Sequence, residues 1–273
     1  MIYVDNLHKQ YGRVEALSGL TFSVNEGEIY GIIGPDGAGK TSLFRILATL
    51  LLPDGGRAEV DGLDVVRDCR ELRRRIGYMP GRFSLYQDLT VEENLRFFAS
   101  VFNTSIDENY SLIKDVYCRL EPFKARRAGK LSGGMKQKLA LCCALIHAPR
   151  VLLLDEPTTG VDPVSRREFW QMLQRIRSSH GITVLVSTPY MDEASWCDRI
   201  SLAQNGCLLQ TGTPGEICES CSARLFAVRS DDMHGLLNDL KECACVAMSF
   251  SFGDSMHVTL DEAAASHTLW EYL

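Results

Sequence analysis

Apolar runs alternate with amphipathic stretches along most of the chain. The runs "GEIYGII" (27–33), "VLLLD" (151–155) and "ITVLVS" (182–187) are continuous and rich in β-branched or aliphatic residues, which is typical of parallel strands buried on both faces. Between such runs lie stretches with helical spacing, among them "KTSLFRILATLL" over residues 40–51. Strands that alternate with helices predict an α/β protein whose parallel sheet is covered by helices.

Three regions depart from this alternation. The first strands, "MIYVDNLHKQY" and "LTFSV", predict an antiparallel N-terminal ribbon, and residues from about 88 to 149 predict an inserted helical subdomain. After "TGTPGEI" the pattern changes to a strand, a helix over Met233–Glu242 and two more strands, which predicts a small β-α-β-β appendage. We therefore expect a main domain over 1–215 and the appendage over 216–273. The last residues, "HTLWEYL", begin an apolar pattern that we expect to continue in a longer chain, so that the appendage is truncated here.

Composition narrows the possible functions. The chain has 273 residues, of which 45% are hydrophobic, enough for one large domain with an appendage. Its net charge of −6 disfavours the coating of nucleic acid, so no nucleic-acid partner is expected. The apolar stretch Ile46–Leu52 is far shorter than the ~20 residues of a membrane-spanning helix. The N-terminus lacks a basic region followed by an apolar block, so we expect no signal peptide.

The ten cysteines are expected to be reduced thiols of a cytosolic chain. Cys218 and Cys221 form a C-x-x-C pair, and Cys243 and Cys245 follow, so a zinc site is conceivable. However, the first pair is predicted on a helix, the second pair enters a strand, and the usual repeated C-x-x-C spacing is missing. We expect these cysteines to act as small apolar residues.

A phosphate-binding loop is predicted at "GPDGAGKT". The segment matches G-x-x-x-x-G-K-[ST], directly after a predicted strand and directly before a predicted helix, which is the context that this motif requires. Glycines let the backbone approach a phosphate and turn its N–H groups inward, and the helix start adds positive potential. We expect Lys40 to reach the β- and γ-phosphates of a nucleotide and the Thr41 hydroxyl to hold Mg²⁺. The predicted nucleotide-binding residues here are Gly34, Pro35, Asp36, Gly37, Ala38, Gly39, Lys40, Thr41 and Ser42.

Two adjacent carboxylates end the strand "VLLLDE". Ligands of open α/β sheets bind just past the carboxyl ends of the strands, so Asp155 and Glu156 are predicted to face the phosphate loop. Asp155 is expected to contact Mg²⁺, and Glu156 is expected to orient or deprotonate a water beside the γ-phosphate. Lys40 and Glu156 are thus the predicted catalytic residues.

A glycine pair opens the helix that begins near residue 132. Ser132 is a good N-cap, and Gly133 and Gly134 expose backbone amides ahead of a stretch predicted to be an amphipathic helix that stops near Pro149. One interpretation is a capped helix and nothing more. The other is a second anion site, which has no phosphate loop of its own nearby and therefore serves the nucleotide of another subunit.

These segments resemble those of ATP-binding-cassette (ABC) ATPases. "GPDGAGKT", "LSGGMKQK", "LLLDEPTTGVDP" and "STPYMDEA" have the order and spacing of that family over about residues 1–215, and "YMPGRFSLYQDLTVEENLRFFA" is most similar to ATPase subunits of ABC-2-type exporters of the multidrug and antibiotic-resistance kind. The resemblance implies a P-loop NTPase (RecA-like) mixed sheet and a head-to-tail dimer, formed by two chains or by tandem cassettes. Two ATP molecules would lie at its interface, each also contacted by Ser132, Gly133 and Gly134 of the other subunit.

The same resemblance implies further roles and partners. Tyr11 matches the aromatic residue that stacks on adenine, and Asp162 matches the loop that communicates across the dimer. ATP binding would close the dimer and hydrolysis would reopen it. The motion would be transmitted to separate transmembrane permease subunits, which places the chain on the cytoplasmic side of the membrane.

Two positions depart from the family pattern. Gly81 stands where the family usually has a glutamine that touches Mg²⁺ and the attacking water, and Pro189 stands where it has a histidine that contacts the γ-phosphate. Proline cannot make that hydrogen bond, and Gln87, six residues after Gly81, would differ in reach and direction. We expect slow hydrolysis. The alternative is an ATP-binding regulatory half of an asymmetric cassette pair with little hydrolysis of its own.

Other classes of protein fit the sequence less well. Ribosome-binding cassettes are usually basic with a charged helical linker, and DNA-repair cassettes are split by a long coiled coil, features that this acidic sequence lacks. A binding module without turnover is disfavoured because Glu156 is retained. For the appendage we expect a structural or dimerising role. Asp192 and Glu193, after the strand that ends near Thr188, are expected to begin a helix, whose positive end suits acidic residues.

Overall fold

The computed structural model describes residues 1–220 and 225–260. The chain divides into two compact units, Met1–Pro214 and the segment from Gly215 onward. In the described residues the helices are α1 (Lys40–Leu47), α2 (Cys69–Arg75), α3 (Val91–Val101), α4 (Tyr110–Tyr117), α5 (Gly133–Leu145), α6 (Pro163–His180), α7 (Pro214–Ser220) and α8 (Met233–Glu242).

The strands of the described residues form separate sheets in the two units. They are β1 (Ile2–Tyr11), β2 (Val14–Val24), β3 (Ile29–Ile33), β4 (Gly55–Val60), β5 (Leu63–Asp64), β6 (Ile76–Met79), β7 (Val151–Asp155), β8 (Thr183–Thr188), β9 (Arg199–Gln204), β10 (Cys207–Gly212), β11 (Leu225–Val228), β12 (Val246–Phe252) and β13 (Ser255–Leu260).

The central sheet has six strands in the order β10-β9-β3-β8-β7-β6. The five strands from β9 to β6 run parallel, and β10 pairs antiparallel with β9 at one edge. All residues of β3, β7 and β8 are buried, as their continuous apolar runs predict for strands covered on both faces. The predicted mixed α/β sheet is confirmed, and its parallel strands bring their carboxyl ends to one edge.

The predicted antiparallel ribbon is confirmed as part of a wider sheet in the order β2-β1-β4-β5. One face of this second sheet and one face of the central sheet share a hydrophobic core with α1, to which Phe44 and Leu47 contribute completely buried side chains. This core anchors α1, and therefore fixes the loop that precedes it.

Residues 88–149 are mostly helical, as predicted, and contain α3, α4 and α5. The start of α3 is fixed by a capping box, in which the Thr90 hydroxyl accepts from the Glu93 N–H and the Glu93 carboxylate accepts from the Thr90 N–H. Among the described residues, no helix combines the length and apolar character needed to cross a membrane.

Two predicted helices differ from the observed ones. The helix predicted over 40–51 ends at Leu47, because Thr49 takes a left-handed conformation (φ 61°) and the N–H groups of Leu50 and Leu51 both turn back to the Arg45 carbonyl. α5 is not amphipathic along its whole length: residues 141–145 are all buried, because this end of the helix is surrounded by protein.

The second unit confirms the predicted β-α-β-β order, and α8 has the predicted bounds. Its sheet has the order β11-β13-β12 and is antiparallel throughout. A separate small core includes Leu236 and Leu240 of α8 with Met256 and Val258 of β13. Cys221 and the "HTLWEYL" segment lie outside the described residues.

Candidate functional site

Three chain segments with polar chemistry meet at the carboxyl edge of the central sheet. Ile33, the last residue of β3, pairs with Thr188 of β8, and Ser187 pairs with Asp155 at the end of β7. The Gly34 N–H donates to the Thr188 carbonyl at 3.2 Å. The loop 34–39, the Asp155–Glu156 pair and the end of β8 are therefore neighbours, which the strand order alone brings about.

The loop 34–39 needs glycine at two close approaches. A Cβ on Gly34 would lie 2.1 Å from the Ala203 carbonyl oxygen, and one on Gly39 would lie 2.2 Å from the Ala16 carbonyl oxygen. Gly39 also has φ +92°, a conformation that side chains rarely adopt. The sequence therefore produces a tight turn whose free backbone amides precede the first turn of α1.

A cleft of about 450 Å³ opens at this turn. The lining includes the ribbon residue Tyr11, which is predicted to contact the nucleotide, and the predicted loop residues from Asp36 onward. It also includes the predicted catalytic residues, Lys40 and Glu156. The lining residues are Tyr11, Ala16, Asp36, Gly37, Ala38, Gly39, Lys40, Thr41, Ser42 and Glu156.

Lys40 is buried and fully engaged. Its Nζ donates to the carbonyls of Gly34 (2.7 Å) and Pro35 (2.9 Å) and lies 3.1 Å from Glu156 Oε1. The cation is thus held at the mouth of the glycine turn by two dipoles and one carboxylate. A phosphate bound in the turn would meet this charge directly.

Asp155 and Glu156 are held in place by different contacts. Asp155 is buried and accepts from Ser187 Oγ at 2.8 Å; burial raises the pKa of its carboxyl group, whereas hydrogen bonds from Ser187 and from Thr41 lower it. Glu156 has φ 51°, and its N–H donates to the carbonyl and the hydroxyl of Ser187. Thr41 and Asp155 therefore meet as oxygen donors, the chemistry that Mg²⁺ prefers.

Tyr11 also lines the cleft. Its ring is 45% exposed, and its hydroxyl lies 3.4 Å from Ser42 Oγ. An exposed ring beside a polar cleft is available for stacking.

The other predicted ligands lie outside the cleft lining. Ser132 is exposed and caps α5 by accepting from the Met135 N–H, and Asp162 caps α6 by accepting from the Ser165 N–H, a bond that lowers the Asp162 pKa. These two helix starts are neighbours, since a Cβ on Gly134 would lie 2.8 Å from Ser165 Oγ. Within one chain they are separate from the phosphate loop.

The two departures lie beside the site, whereas Gln87 does not. A Cβ on Gly81 would lie 3.0 Å from the Asp155 carbonyl oxygen and 3.7 Å from Glu156 Cβ. Pro189 directly follows Thr188, whose carbonyl accepts a hydrogen bond from the Gly34 N–H. Gln87 is exposed and packs against Gly129. It is therefore poorly placed to replace a side chain at position 81.

Glu193 is a residue whose role sequence reasoning missed. As predicted, Asp192 and Glu193 lie in the first turn of a helix, the six-residue 3-10 helix Met191–Trp196, but Glu193 is only 2% exposed. Its carboxylate accepts from Thr158 and Thr188. The apolar pattern gave no sign of this, because Thr158 comes from a distant segment and the contact with Thr188 depends on the turn at Pro189.

Within the described residues, the cysteines do not form a metal site. No group of three His, Cys, Asp or Glu residues close enough to hold a metal ion occurs within 1–220 and 225–260. Cys243 Sγ and Cys245 Sγ are 3.0 Å apart.

Known proteins resemble this chain in sequence. The sequence profile described as "ABC transporter" matches residues 17–159. The chain is 43% identical over 235 residues to the probable multidrug ABC transporter ATP-binding protein YbhF of Escherichia coli K12, covering 84% of this chain and 40% of that protein. It is 40% identical over 222 residues to the daunorubicin resistance ATP-binding protein DrrA3 of Streptomyces coeruleorubidus, covering 79% of this chain and 69% of that protein.

A solved structure extends the comparison to the fold. The dimeric bacterial ABC transporter cassette MJ0796 is 28% identical, with a TM-score of 0.71 over 78% of this chain and 99% of that one. The chain spans about two fifths of the length of YbhF. With the family profile matched over its phosphate loop and its acidic strand end, the chain belongs to the ABC transporter family, as one of its ATP-binding cassette ATPases.

Proposed function

We propose that this chain binds ATP with Mg²⁺ at the carboxyl edge of the central sheet and hydrolyses it slowly to power an ABC-2-type exporter. One observation carries the proposal: the glycine turn, Lys40, Thr41 and Glu156 line one cleft, and the buried Asp155 precedes Glu156 at the end of β7. The residues that would hold the nucleotide in this chain are Tyr11, Gly34, Pro35, Asp36, Gly37, Ala38, Gly39, Lys40, Thr41 and Ser42.

Thr41 and Asp155 are the proposed protein ligands of Mg²⁺. The fit rests on the proximity of the two oxygen-bearing side chains, since Thr41 contributes to lowering the pKa of Asp155, and on the buried position of the Asp155 carboxylate. When bound, Mg²⁺ would supply charge neutralisation at the β- and γ-phosphates. Lys40 would add a second positive charge there, released from its present ion pair with Glu156.

Glu156 is the proposed general base. Two bonds from its N–H to Ser187 fix its backbone, and its carboxylate lines the cleft beside Lys40. It would therefore hold a water and accept its proton at Oε1 or Oε2.

Slow turnover is expected because the glutamine and the histidine of the family pattern are both absent near Glu156. Gly81 lies beside the acidic pair but has no side chain, and Pro189 at the end of β8 has no donor. Contacts to a transferring phosphate each contribute powers of ten in rate, so the loss of two slows the chemical step.

The assembly we propose is a head-to-tail pair of nucleotide-binding domains, formed by two chains or by tandem cassettes. Ser132, Gly133 and Asp162 are exposed at neighbouring helix starts outside their own cleft, and with the buried Gly134 they would complete the site of another domain. We further propose 1–215 as the nucleotide-binding domain, with residues 88–149 contacting transmembrane permease subunits at the cytoplasmic face, and 216–273 as an appendage.

A second function is favoured by the same two departures. With glycine at position 81 and proline at position 189, this cassette could act as the regulatory half of an asymmetric pair, in which the partner half hydrolyses ATP. Turnover measured on the isolated chain separates the two functions.

Calorimetric titration of the purified chain with ATP and Mg²⁺ tests the proposal. Lys40→Ala should weaken binding at least about tenfold, since it removes a charge-assisted contact to phosphate. Glu156→Gln should retain binding and lose hydrolysis. Lys130→Ala, which removes an exposed lysine outside the cleft lining, is the control. Unchanged binding in Lys40→Ala would contradict the proposed site.

A further inference from the structure

One buried carboxylate links three segments around the proposed site. Glu193, 2% exposed, accepts from Thr188 Oγ1 at 2.6 Å through Oε2 and from Thr158 Oγ1 at 2.7 Å through Oε1. Arg166 Nε on α6 lies 3.3 Å from the same Oε1. A buried carboxylate needs such partners, and each partner here comes from a different element.

The partners of Glu193 lie next to the reacting groups. Thr158 is two residues after Glu156, in the loop that leads to Asp162. Thr188 accepts the Gly34 N–H on its carbonyl, so it connects Glu193 to the first residue of the phosphate loop. Arg166 lies on the first turns of α6, which Asp162 caps.

Glu193 also fixes the turn at Pro189. The Tyr190 N–H donates to Thr188 Oγ1 at 3.1 Å, and that hydroxyl donates to Glu193. Since Pro189 has no N–H, the hydroxyl that Glu193 orients is what closes this turn. The path of the chain past β8 therefore depends on the carboxylate.

We infer that Glu193 is a positioning residue of the ATPase site. It holds the Thr158–Asp162 loop, the end of β8 and the start of α6 in one arrangement, and thereby keeps Glu156 directed into the cleft. The inference rests on the proposed function, since it names what positions the proposed general base. Glu193 itself lies outside the cleft lining and touches no reacting atom.

The test variant is Glu193→Gln, which keeps the size and an acceptor oxygen but removes the charge that faces Arg166. We expect kcat to fall about tenfold, because small displacements of positioned groups have large effects on rate, while KM and the Kd for ATP with Mg²⁺ stay within about twofold. The matched control is Asp192→Asn, on the same 3-10 helix and paired with the same Arg166 but 72% exposed. It should leave kcat unchanged.

A second variant tests the same contact in case Glu193→Gln does not fold. Thr158→Val keeps the shape of this buried residue and replaces the hydroxyl that donates to Glu193 with a methyl group. It should lower kcat as well, and the double variant Thr158→Val/Glu193→Gln should be no slower than the slower single variant, because one contact is being removed twice. Wild-type kcat in folded Glu193→Gln, or an equal fall in Asp192→Asn, would overturn the inference.

Hydrogen exchange without nucleotide separates this inference from the proposed function. In Glu193→Gln, amides of residues 156–162 and 188–192 should lose protection, whereas in Asp192→Asn they should not. A wild-type chain that neither binds nor hydrolyses ATP would overturn the proposed function. Unchanged exchange in Glu193→Gln would overturn the role of Glu193 independently of any activity.

Discussion

At the scale of single residues, the charged side chains of the site already contact partners within the chain. Lys40 is held by two carbonyls and Glu156, and Asp155 accepts from the Ser187 hydroxyl. Removing one partner of a buried pair leaves the other uncompensated. Substitutions here should therefore change stability as well as activity, and the two effects can have opposite signs.

Asp155→Asn should stabilise the metal-free protein while it abolishes hydrolysis. Burial raises the pKa of Asp155, so the folded state binds this proton more tightly than the unfolded state does. The ionised carboxylate thus lowers the free energy of unfolding at neutral pH, and this destabilisation disappears as the pH falls through the raised pKa. We expect a higher Tm for Asp155→Asn at pH 7 in the presence of a chelator, and a smaller gain in acid.

Asp162→Asn is a control for which the opposite change in Tm is expected. The hydrogen bond from the Ser165 N–H lowers the pKa of the exposed Asp162, so its charge stabilises the fold above the unfolded pKa, and that stabilisation is lost as the pH falls. This variant should have a lower Tm at pH 7. The same direction of change in both variants would contradict the assignment of the buried charge.

Tyr11→Ala should weaken ATP binding by about three- to tenfold, the effect of one aromatic stacking contact. Tyr3→Ala is the matched control, because Tyr3 is an exposed tyrosine on the same strand β1 that does not line the cleft. Fluorescence titration with a nucleotide analogue and competition by ATP gives both Kd values. Equal Kd values for the two variants would remove Tyr11 from the site.

At the scale of elements, the sequence predicted what depends on local pattern. Buried strands such as β3 and β7, the glycine turn and the bounds of α8 follow from apolar runs, glycines and helical spacing. The early end of α1 depends on a left-handed Thr49, and the burial of Glu193 depends on contacts with Thr188, five residues away across the Pro189 turn, and with Thr158, 35 residues away. Pattern along the chain carries no record of such tertiary contacts.

The contact between α5 and α6 gives a prediction for two adjacent glycines. A Cβ on Gly134 would lie 2.8 Å from Ser165 Oγ, whereas one on Gly133 would have only an ordinary contact of 3.5 Å with the Gly160 carbonyl. Gly134→Ala should lower the free energy of unfolding by about 1–3 kcal/mol through overpacking, and Gly133→Ala should change it much less. Chemical denaturation of both variants measures this, and equal losses would show that the helices do not pack closely.

At the scale of the whole molecule, the proposed head-to-tail pair would supply the cleft with ligands from a second domain. The starts of α5 and α6 carry amides and hydroxyls but lie outside their own cleft. One solved cassette, MJ0796, is dimeric. ATP would then act as part of the interface.

Glu156→Gln should therefore dimerise when ATP and Mg²⁺ are added, because bound ATP is not consumed. Ser132→Arg in this background should remain monomeric, since a large cation replaces the exposed cap at the proposed interface. Size-exclusion chromatography with light scattering gives the mass with and without ATP. A mass that does not respond to ATP in Glu156→Gln would contradict the head-to-tail pair.

Steady-state ATP hydrolysis by the purified wild-type chain, measured beside Gly81→Gln/Pro189→His, tests the central claim most directly. Gly81 has no left-handed φ, and a Cβ there needs only a small shift from the Asp155 carbonyl, so the new side chain starts beside the acidic pair. The account predicts slow turnover that Glu156→Gln abolishes and a gain of about tenfold or more in the double variant. Fast turnover by the wild-type chain that Glu156→Gln abolishes, or no gain in the double variant, would contradict it.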